Sequence, residues 1–119
     1  MTNRESRLLV KQDGKITQVD FLDRNILDEA SIQQIGDQIS ELIEQSDKPR
    51  LLINFEHVEH LSSAALGTLI TINNKIRLKG GQLRLTNIDP QILEVFEITR
   101  LDQLFQIHND IDAAVESFK

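Results

Sequence analysis

The sequence predicts an α/β fold in which about four helices pack on a mixed, largely parallel sheet of about five strands. Three observations support this fold class. Asp13-Gly14 lies between two short apolar segments, which is a strong signal for a β-hairpin. Residues 51–55 are almost continuously apolar, as expected for a strand that is covered on both faces. Strand-like and helical patterns then alternate to the end of the chain, and parallel neighbours require such helical crossovers.

The first half of the chain predicts a hairpin, a helix and a central strand. Residues 8–10 and 16–21 form the two strands of the hairpin. Asp28 is a candidate N-cap for a helix whose apolar face repeats every three or four residues, at Ile32, Ile35, Ile39, Leu42 and Ile43. This helix ends before Pro49, because proline disfavours helical backbone at the preceding residue. The strand over residues 51–55 is expected at the centre of the sheet.

The second half predicts two more strands, each between helices. A second helix is predicted from about Ser63 to Lys79, where Gly80-Gly81 supplies a left-handed stop. Residues 82–86 alternate as a strand, and Asp89-Pro90 is typical of an N-cap followed by the first residue of a short helix. The remaining elements are a strand over residues 104–107 and a helix over residues 110–118.

The composition predicts one soluble domain. The 119 residues suffice for a single core spanning 1–119 and leave no room for a second domain. Hydrophobic residues make up 39% and charged residues 27%, and the absence of cysteine excludes disulfides and thiol catalysis. The N-terminal residues are polar and no long apolar stretch follows, so neither a secretory signal nor membrane insertion is predicted. We expect a cytoplasmic protein.

The net charge of -6 opposes direct binding to nucleic acids or anionic lipids. Lys75, Arg77 and Lys79 form the nearest basic cluster, but they lie at the end of the predicted second helix, where cations stabilise the negative end of the helix dipole. The chain also lacks the Tyr and Trp side chains on which bases commonly stack. We therefore expect no direct nucleic-acid partner.

Two serines stand where the central strand gives way to the second helix. Ser62 and Ser63 lie within the run 58–67, and a serine at a helix start can accept a hydrogen bond from a free backbone amide as an N-cap. The same position suits a phosphate, because the free amides and the helix dipole favour negative charge. The residues alone leave both roles open. If Ser63 is the cap, its replacement by alanine costs about 1 kcal/mol.

Three segments resemble the STAS domain, the fold of bacterial anti-sigma factor antagonists. They are residues 58–67, 80–88 and 96–105, and the predicted order of elements resembles the family over nearly the whole chain. In the antagonists the first segment usually reads Asp-Ser-Ser-Gly-Leu-Gly, with the first serine phosphorylated. Aligning Leu66-Gly67 with the family places Ser63 on that serine, Ser62 on the aspartate, Ala64 on the second serine and Ala65 on the first glycine. Arg100 stands where the family often has glycine.

The resemblance implies a switch protein that is not an enzyme. Its unmodified form would bind a serine-kinase anti-sigma factor and so free the sigma factor. Phosphorylation of Ser63 by that kinase would inactivate it, and a phosphatase would reset it. ATP and magnesium would be held by the kinase, so no cofactor and no metal site are expected in this chain.

The partner face implied by the resemblance combines the serine loop with the turn between the hairpin and the first helix, which neighbours it in the family fold. Arg24 is the strongest candidate for a polar contact, because the guanidinium suits carboxylate and phosphate groups. The predicted contact residues are Asp23, Arg24, Asn25, Leu61, Ser62, Ser63, Ala64, Ala65 and Leu66.

Two other functions stay open at this stage. STAS domains also serve as subunits of lipid-transport ABC complexes and as parts of sensory assemblies, and the departures at Ser62 and Ala64 keep this alternative open. A small serine hydrolase would use His57 or His60 with Ser63, but no Gly-x-Ser-x-Gly elbow surrounds either serine. We therefore predict no catalytic residue.

Overall fold

The structure, a computed structural model, describes residues 8–118. Strands and helices alternate through most of this range. In chain order the elements are β1 (Leu8–Asp13), β2 (Ile16–Phe21), β3 (Asn25–Ile26), α1 (Glu29–Glu44), β4 (Arg50–Asn54), β5 (His60–Leu61), α2 (Ser63–Leu78), β6 (Gln82–Thr86), α3 (Pro90–Ile98), a 3-10 turn at Leu101–Gln103, β7 (Gln106–His108) and α4 (Ile111–Ser117).

The main sheet has five strands in the order β1-β2-β4-β6-β7. β1 and β2 pair antiparallel, whereas β2, β4, β6 and β7 are parallel neighbours. The predicted fold class is therefore confirmed, and β4 is the central strand as expected. A second sheet was not predicted: the two-residue strands β3 and β5 pair parallel to each other at Asn25↔His60 and Ile26↔Leu61.

The predicted helix starts are confirmed by their hydrogen bonds. The carboxylate of Asp28 accepts the Ser31 amide at 3.0 Å, that of Asp89 accepts the Gln91 amide at 2.9 Å, and that of Asp110 accepts the Ala113 amide at 2.8 Å. Each bond satisfies a first-turn amide that has no partner within the helix. Among the helices of residues 8–118, none has the length and apolar character needed to cross a bilayer.

The two faces of the sheet are covered differently. The main core lies on the face that α1 and α2 cover, where β2, β4 and β6 contribute Val19, Ile53 and Leu85. A smaller cluster on the other face lies under α4 and consists of Ile16, Leu52, Ala114 and Phe118. The helices therefore cover the faces of the sheet, and the connecting loops lie at the two ends of its central strands. The loop at one of these ends carries Ser62 and Ser63.

Arg84 is the unexpected buried residue of this second face. Its Nε donates to Ser117 Oγ at 2.8 Å, its Nη2 donates to the Ser117 carbonyl at 3.3 Å, and its guanidinium lies 4.8 Å from the centre of the Phe118 ring. Burial lowers the pKa of Arg84. These contacts fasten the C-terminal end of α4 to β6.

The last strand begins later than the predicted 104–107. The amides of Leu104 and Phe105 both donate to the Leu101 carbonyl, at 3.0 and 3.1 Å, so they are used by a helical turn and cannot pair with β6. Pairing begins at Gln106. The turn starts at Arg100, whose φ of +64° is in the left-handed region, which explains why glycine suits this position.

Candidate partner-binding site

Two aromatic rings fix the segments that form the site. Phe21 ends β2 and Phe55 follows β4, and their rings meet edge to face with centroids 5.0 Å apart and an interplanar angle of 73°. Both rings are buried, at 3% and 0% exposure. Edge-to-face packing of this kind contributes about 1 kcal/mol beyond the burial of apolar area. The chain segments that follow Phe21 and Phe55 therefore begin next to each other, at well-packed positions of the core.

Backbone hydrogen bonds then hold the two segments side by side. The Arg24 carbonyl accepts the amides of Glu59 and His60 at 2.8 and 3.1 Å. The Ile26 carbonyl accepts the Ser62 amide at 3.1 Å, immediately before α2 begins. These bonds make the β3–β5 pair. They bring the turn at Asp23-Arg24-Asn25 beside the serine loop, as the resemblance implied.

The two serines have different roles in the local structure. Ser62 is the N-cap of α2: its backbone is extended, with φ -84° and ψ 165°, and its Oγ accepts the Ala65 amide at 3.2 Å. Its carbonyl accepts the Leu66 amide at 3.2 Å. Ser63 is the first residue of the helix and is exposed, and its hydroxyl has no hydrogen-bond partner among residues 8–118. The sequence left both serines open as the cap, and the structure assigns it to Ser62, so the loss of about 1 kcal/mol that applies if Ser63 is the cap is not expected for Ser63→Ala.

The start of α2 is a favourable place for negative charge. The first-turn amides of a helix have no partner within it, and the Ser62 oxygens satisfy only those of Ala65 and Leu66. The amides of Ser63 and Ala64 are left, at the positive end of the helix dipole. An anion attached to the Ser63 hydroxyl would lie within about one helical turn of these groups.

The predicted contact residues divide by exposure. Arg24, Asn25, Ser63 and Ala64 are exposed, and Asp23, Leu61 and Ser62 are half-buried. Ala65 and Leu66, at 5% and 8% exposure, belong to the main core. Their side chains pack inward because α2 turns that face toward the sheet, so the accessible part of the predicted face is smaller than the sequence indicated.

Two exposed leucines extend this face, and sequence reasoning missed them. Leu22 and Leu27 flank the β3 turn and are 50% and 53% exposed. We call residues 22–27 and 60–64 the docking surface. Large apolar side chains in solvent at such a surface are typical of sites that another protein covers. Their positions in the sequence could have revealed them. Leu22 follows Phe21 and Leu27 follows Ile26, and neighbouring side chains of an extended segment point to opposite faces. Because Phe21 and Ile26 are buried in the core, the leucines beside them face outward.

A small groove continues the docking surface toward α3. It has a volume of about 160 Å³ and lies between β5, the start of α2 and one side of α3. Val95, which is 42% exposed, lines it together with Gln91 and Ile92. No residue of α3 was predicted to belong to the site.

Electrostatic contacts at the docking surface are weak. Arg24 Nε lies 3.8 Å from Glu59 Oε2, with side-chain exposures of 72% and 56%. A pair this exposed is screened by water and contributes little to stability, so the Arg24 guanidinium remains available to another acceptor. His57 and His60 are exposed, and within residues 8–118 neither donates to or accepts from a serine hydroxyl.

Replacing the two serines by alanine in turn is expected to separate their structural roles. Ser62→Ala removes the cap of α2 and should lower the free energy of unfolding by about 1 kcal/mol. Ser63→Ala removes an exposed, unpartnered hydroxyl and should change it by less than about 0.5 kcal/mol. Urea unfolding of both variants beside the wild type measures the difference. Equal losses, or a larger loss for Ser63→Ala, would contradict the assignment of the cap to Ser62.

Comparison with known proteins identifies the family. The family model described as STAS domain matches residues 15–114. A protein of Bordetella bronchiseptica, provisionally named anti-sigma factor antagonist BtrV, is 24% identical over 96 residues, which cover 81% of this chain and 82% of that protein.

Solved structures share the fold at low sequence identity. An anti-sigma-factor antagonist (STAS) domain protein from Planctomyces limnophilus has a TM-score of 0.84 and 20% identity, with 93% of this chain and 97% of that chain covered. The Bacillus cell fate determinant SpoIIAA, solved in its phosphorylated form, has a TM-score of 0.71 and 18% identity, with 94% of this chain and 99% of that chain covered. At these identities the likeness shows the fold alone. The match of the family model to most of the chain shows that the chain belongs to the STAS domain family.

Proposed function

We propose that this protein is an anti-sigma factor antagonist whose unmodified form binds a serine-kinase anti-sigma factor through the docking surface. The observation that carries the proposal is the division of roles between the two serines at the start of α2. Ser62 satisfies part of the helix start, whereas the Ser63 hydroxyl is exposed and, among the described residues, has no partner and lies beside two first-turn amides that are also without one. The relative from Bordetella bronchiseptica that is provisionally named an anti-sigma factor antagonist supports the same function.

Phosphorylation of Ser63 would change the interface and leave the fold in place. A phosphoserine carries about -1.5 to -2 charges at pH 7, and the helix start accommodates this charge. Ser62 would remain the cap, because its Oγ bond to the Ala65 amide does not involve the modified group. The modification therefore adds charge to the docking surface without removing a structural contact.

Docking would be opposed by this added charge. The docking surface is partly apolar, since Leu22 and Leu27 are about half-exposed. A partner that covers the apolar side chains must also remove water from the phosphate, which is strongly unfavourable without matched cations. In this proposal the kinase holds ATP and magnesium, a phosphatase removes the phosphate, and this chain catalyses neither step.

Phosphorylation by the proposed partner tests the function. We expect the serine-kinase anti-sigma factor, incubated with ATP and this protein, to place one phosphate on Ser63, as located by peptide mass spectrometry. Ser63→Ala should abolish the modification. Ser62→Ala, the matched control, should keep it, because the acceptor hydroxyl and its exposure are unchanged. Phosphate on Ser62 or on a distant threonine would overturn the assignment of the acceptor, and a kinase that neither binds nor modifies the protein would overturn the function.

A further inference from the structure

An open groove with a volume of about 450 Å³ lies at the end of β4 opposite the docking surface. The turn between β1 and β2, the residues that follow α1 and the start of β4 form its walls. Its volume falls within the range of about 300 to 1,000 Å³ that is typical of sites for small molecules. This concave surface of the chain lies at the opposite end of β4 from Ser63.

The charge of this groove is opposite to that of the whole protein. Lys15, Lys48 and Arg50 line it, and no aspartate or glutamate is among its lining residues. The chain as a whole has a net charge of -6. Cations gathered in one concave surface raise the local concentration of anions, even on a protein that repels them elsewhere.

The three cationic side chains have no partner in the part of the chain that the structure describes. Over residues 8–118, none of them forms an ion pair or a side-chain hydrogen bond. Some other basic residues are engaged: Lys11 Nζ lies 3.4 Å from Asp20 Oδ2, and Arg84 donates to Ser117. Arg50 is half-buried, and its guanidinium makes no contact with an acceptor among residues 8–118, so it is available to a ligand in the groove.

The helix α1 ends at this groove, and a lysine at the end of α2 partly offsets the negative end of its dipole. The C-terminal carbonyls of a helix carry partial negative charge. Here the ammonium of Lys79 donates to the carbonyls of Ile43 and Glu44 at 3.0 and 3.3 Å. This contact offsets the negative end of α1 and places a fourth positive charge beside the groove. Gln45 and Ser46 add neutral polar groups to its lining.

From these observations we propose that the groove binds a small molecule with several negative charges, carried by phosphate or carboxylate groups. The planar guanidinium of Arg50 suits bidentate contact with either group, and Lys15 and Lys48 act as point charges at the rim. The site does not depend on the proposed function of Ser63, because it uses different residues at the other end of the sheet.

Titration with two inorganic or simple organic probes tests the proposal. Tripolyphosphate and citrate are added separately to the ¹⁵N-labelled protein, and amide chemical shifts are followed. We expect saturable shifts confined to residues 12–17 and 45–51 for at least one probe. Arg50→Gln and Lys15→Gln should each raise the Kd about tenfold, the effect of losing one charged contact. Arg77→Gln is the matched control: it removes one exposed charge outside the groove and should leave the Kd unchanged.

The outcomes separate specific binding from general attraction. Citrate carries less negative charge than tripolyphosphate, so tighter binding of citrate indicates a carboxylate ligand, whereas tighter binding of tripolyphosphate supports a polyanion site for either group. Absence of saturable shifts with both probes would overturn the proposal, as would equal weakening by Arg77→Gln. Lys15 is exposed in a turn, so its variant keeps the test decisive even if Arg50→Gln disturbs the sheet.

Discussion

Replacing Gly81 by alanine is expected to lower the free energy of unfolding by about 3 kcal/mol. A Cβ atom at this position would overlap the Pro49 carbonyl oxygen and lie 2.9 Å from Cδ and Cγ of the same residue. Backbone and a proline ring cannot rotate away as a flexible side chain would. The overlap must therefore be relieved by moving one chain segment away from the other.

That movement would disturb the start of the sheet's central pairing. The Pro49 carbonyl accepts the Gln82 amide at 2.8 Å, next to the first paired residues of β4 and β6, Arg50 and Gln82. The Gly81 amide donates to the Ile76 carbonyl at 2.9 Å, so the segment is also tied to α2. Thermal unfolding should show the midpoint lowered by roughly 10 to 20 °C for a domain of this size.

Gly67→Ala is the matched control for this prediction. Gly67 lies within α2, and a Cβ there meets nothing within 4 Å. Alanine favours helix over glycine by about 1 kcal/mol, so this variant should be slightly more stable than the wild type. A loss of less than about 1 kcal/mol for Gly81→Ala would contradict the steric account.

The Gly80-Gly81 pair shows what sequence could and could not predict. Gly80 was expected to end α2 in a left-handed conformation, and its φ of +72° confirms this. The need for glycine at the next position comes from Pro49, which is distant in sequence and reaches Gly81 only through the pairing of β4 with β6. Local patterns reveal conformational requirements, but not close approaches between segments.

The same limit applies to the candidate site. The five main strands have enough residues for an apolar pattern, and this pattern and the helical crossovers predicted a largely parallel sheet with residues 51–55 at its centre. The strands β3 and β5 have two residues each, which is too few for any periodicity, so their pairing could not be predicted from local sequence. The family resemblance did imply that the two segments are neighbours. The resemblance did not show which serine is the cap and which is exposed. To decide this, the first residue of α2 must be known exactly, and sequence patterns do not define helix ends that closely.

Ser63→Asp is expected to weaken partner binding about 30-fold while leaving the fold intact. The aspartate adds one negative charge at the first residue of α2, where the helix dipole favours it, so thermal stability should be equal or slightly higher. At the docking surface the same charge must be desolvated when the partner covers it, which costs about 2 kcal/mol. This variant should therefore lose partner affinity without losing thermal stability.

Asn74→Asp supplies the matched control. Asn74 is exposed on α2 away from the docking surface, and the substitution adds the same charge with almost no change in shape. It should leave partner affinity within about twofold of wild type, which is the size of effect expected from long-range screened charge. Similar weakening by both variants, measured by isothermal titration calorimetry, would mean that overall charge and not position governs docking.

The most direct test of the central claim is the affinity of stoichiometrically phosphorylated protein for the serine-kinase anti-sigma factor. Phosphoserine carries more charge than aspartate, so the account predicts a Kd more than about 100-fold higher than that of the unmodified protein. Circular dichroism of the same sample should show an unchanged fold. Full binding by protein that carries phosphate on Ser63 would contradict the account, because the docking surface would then not be the switch.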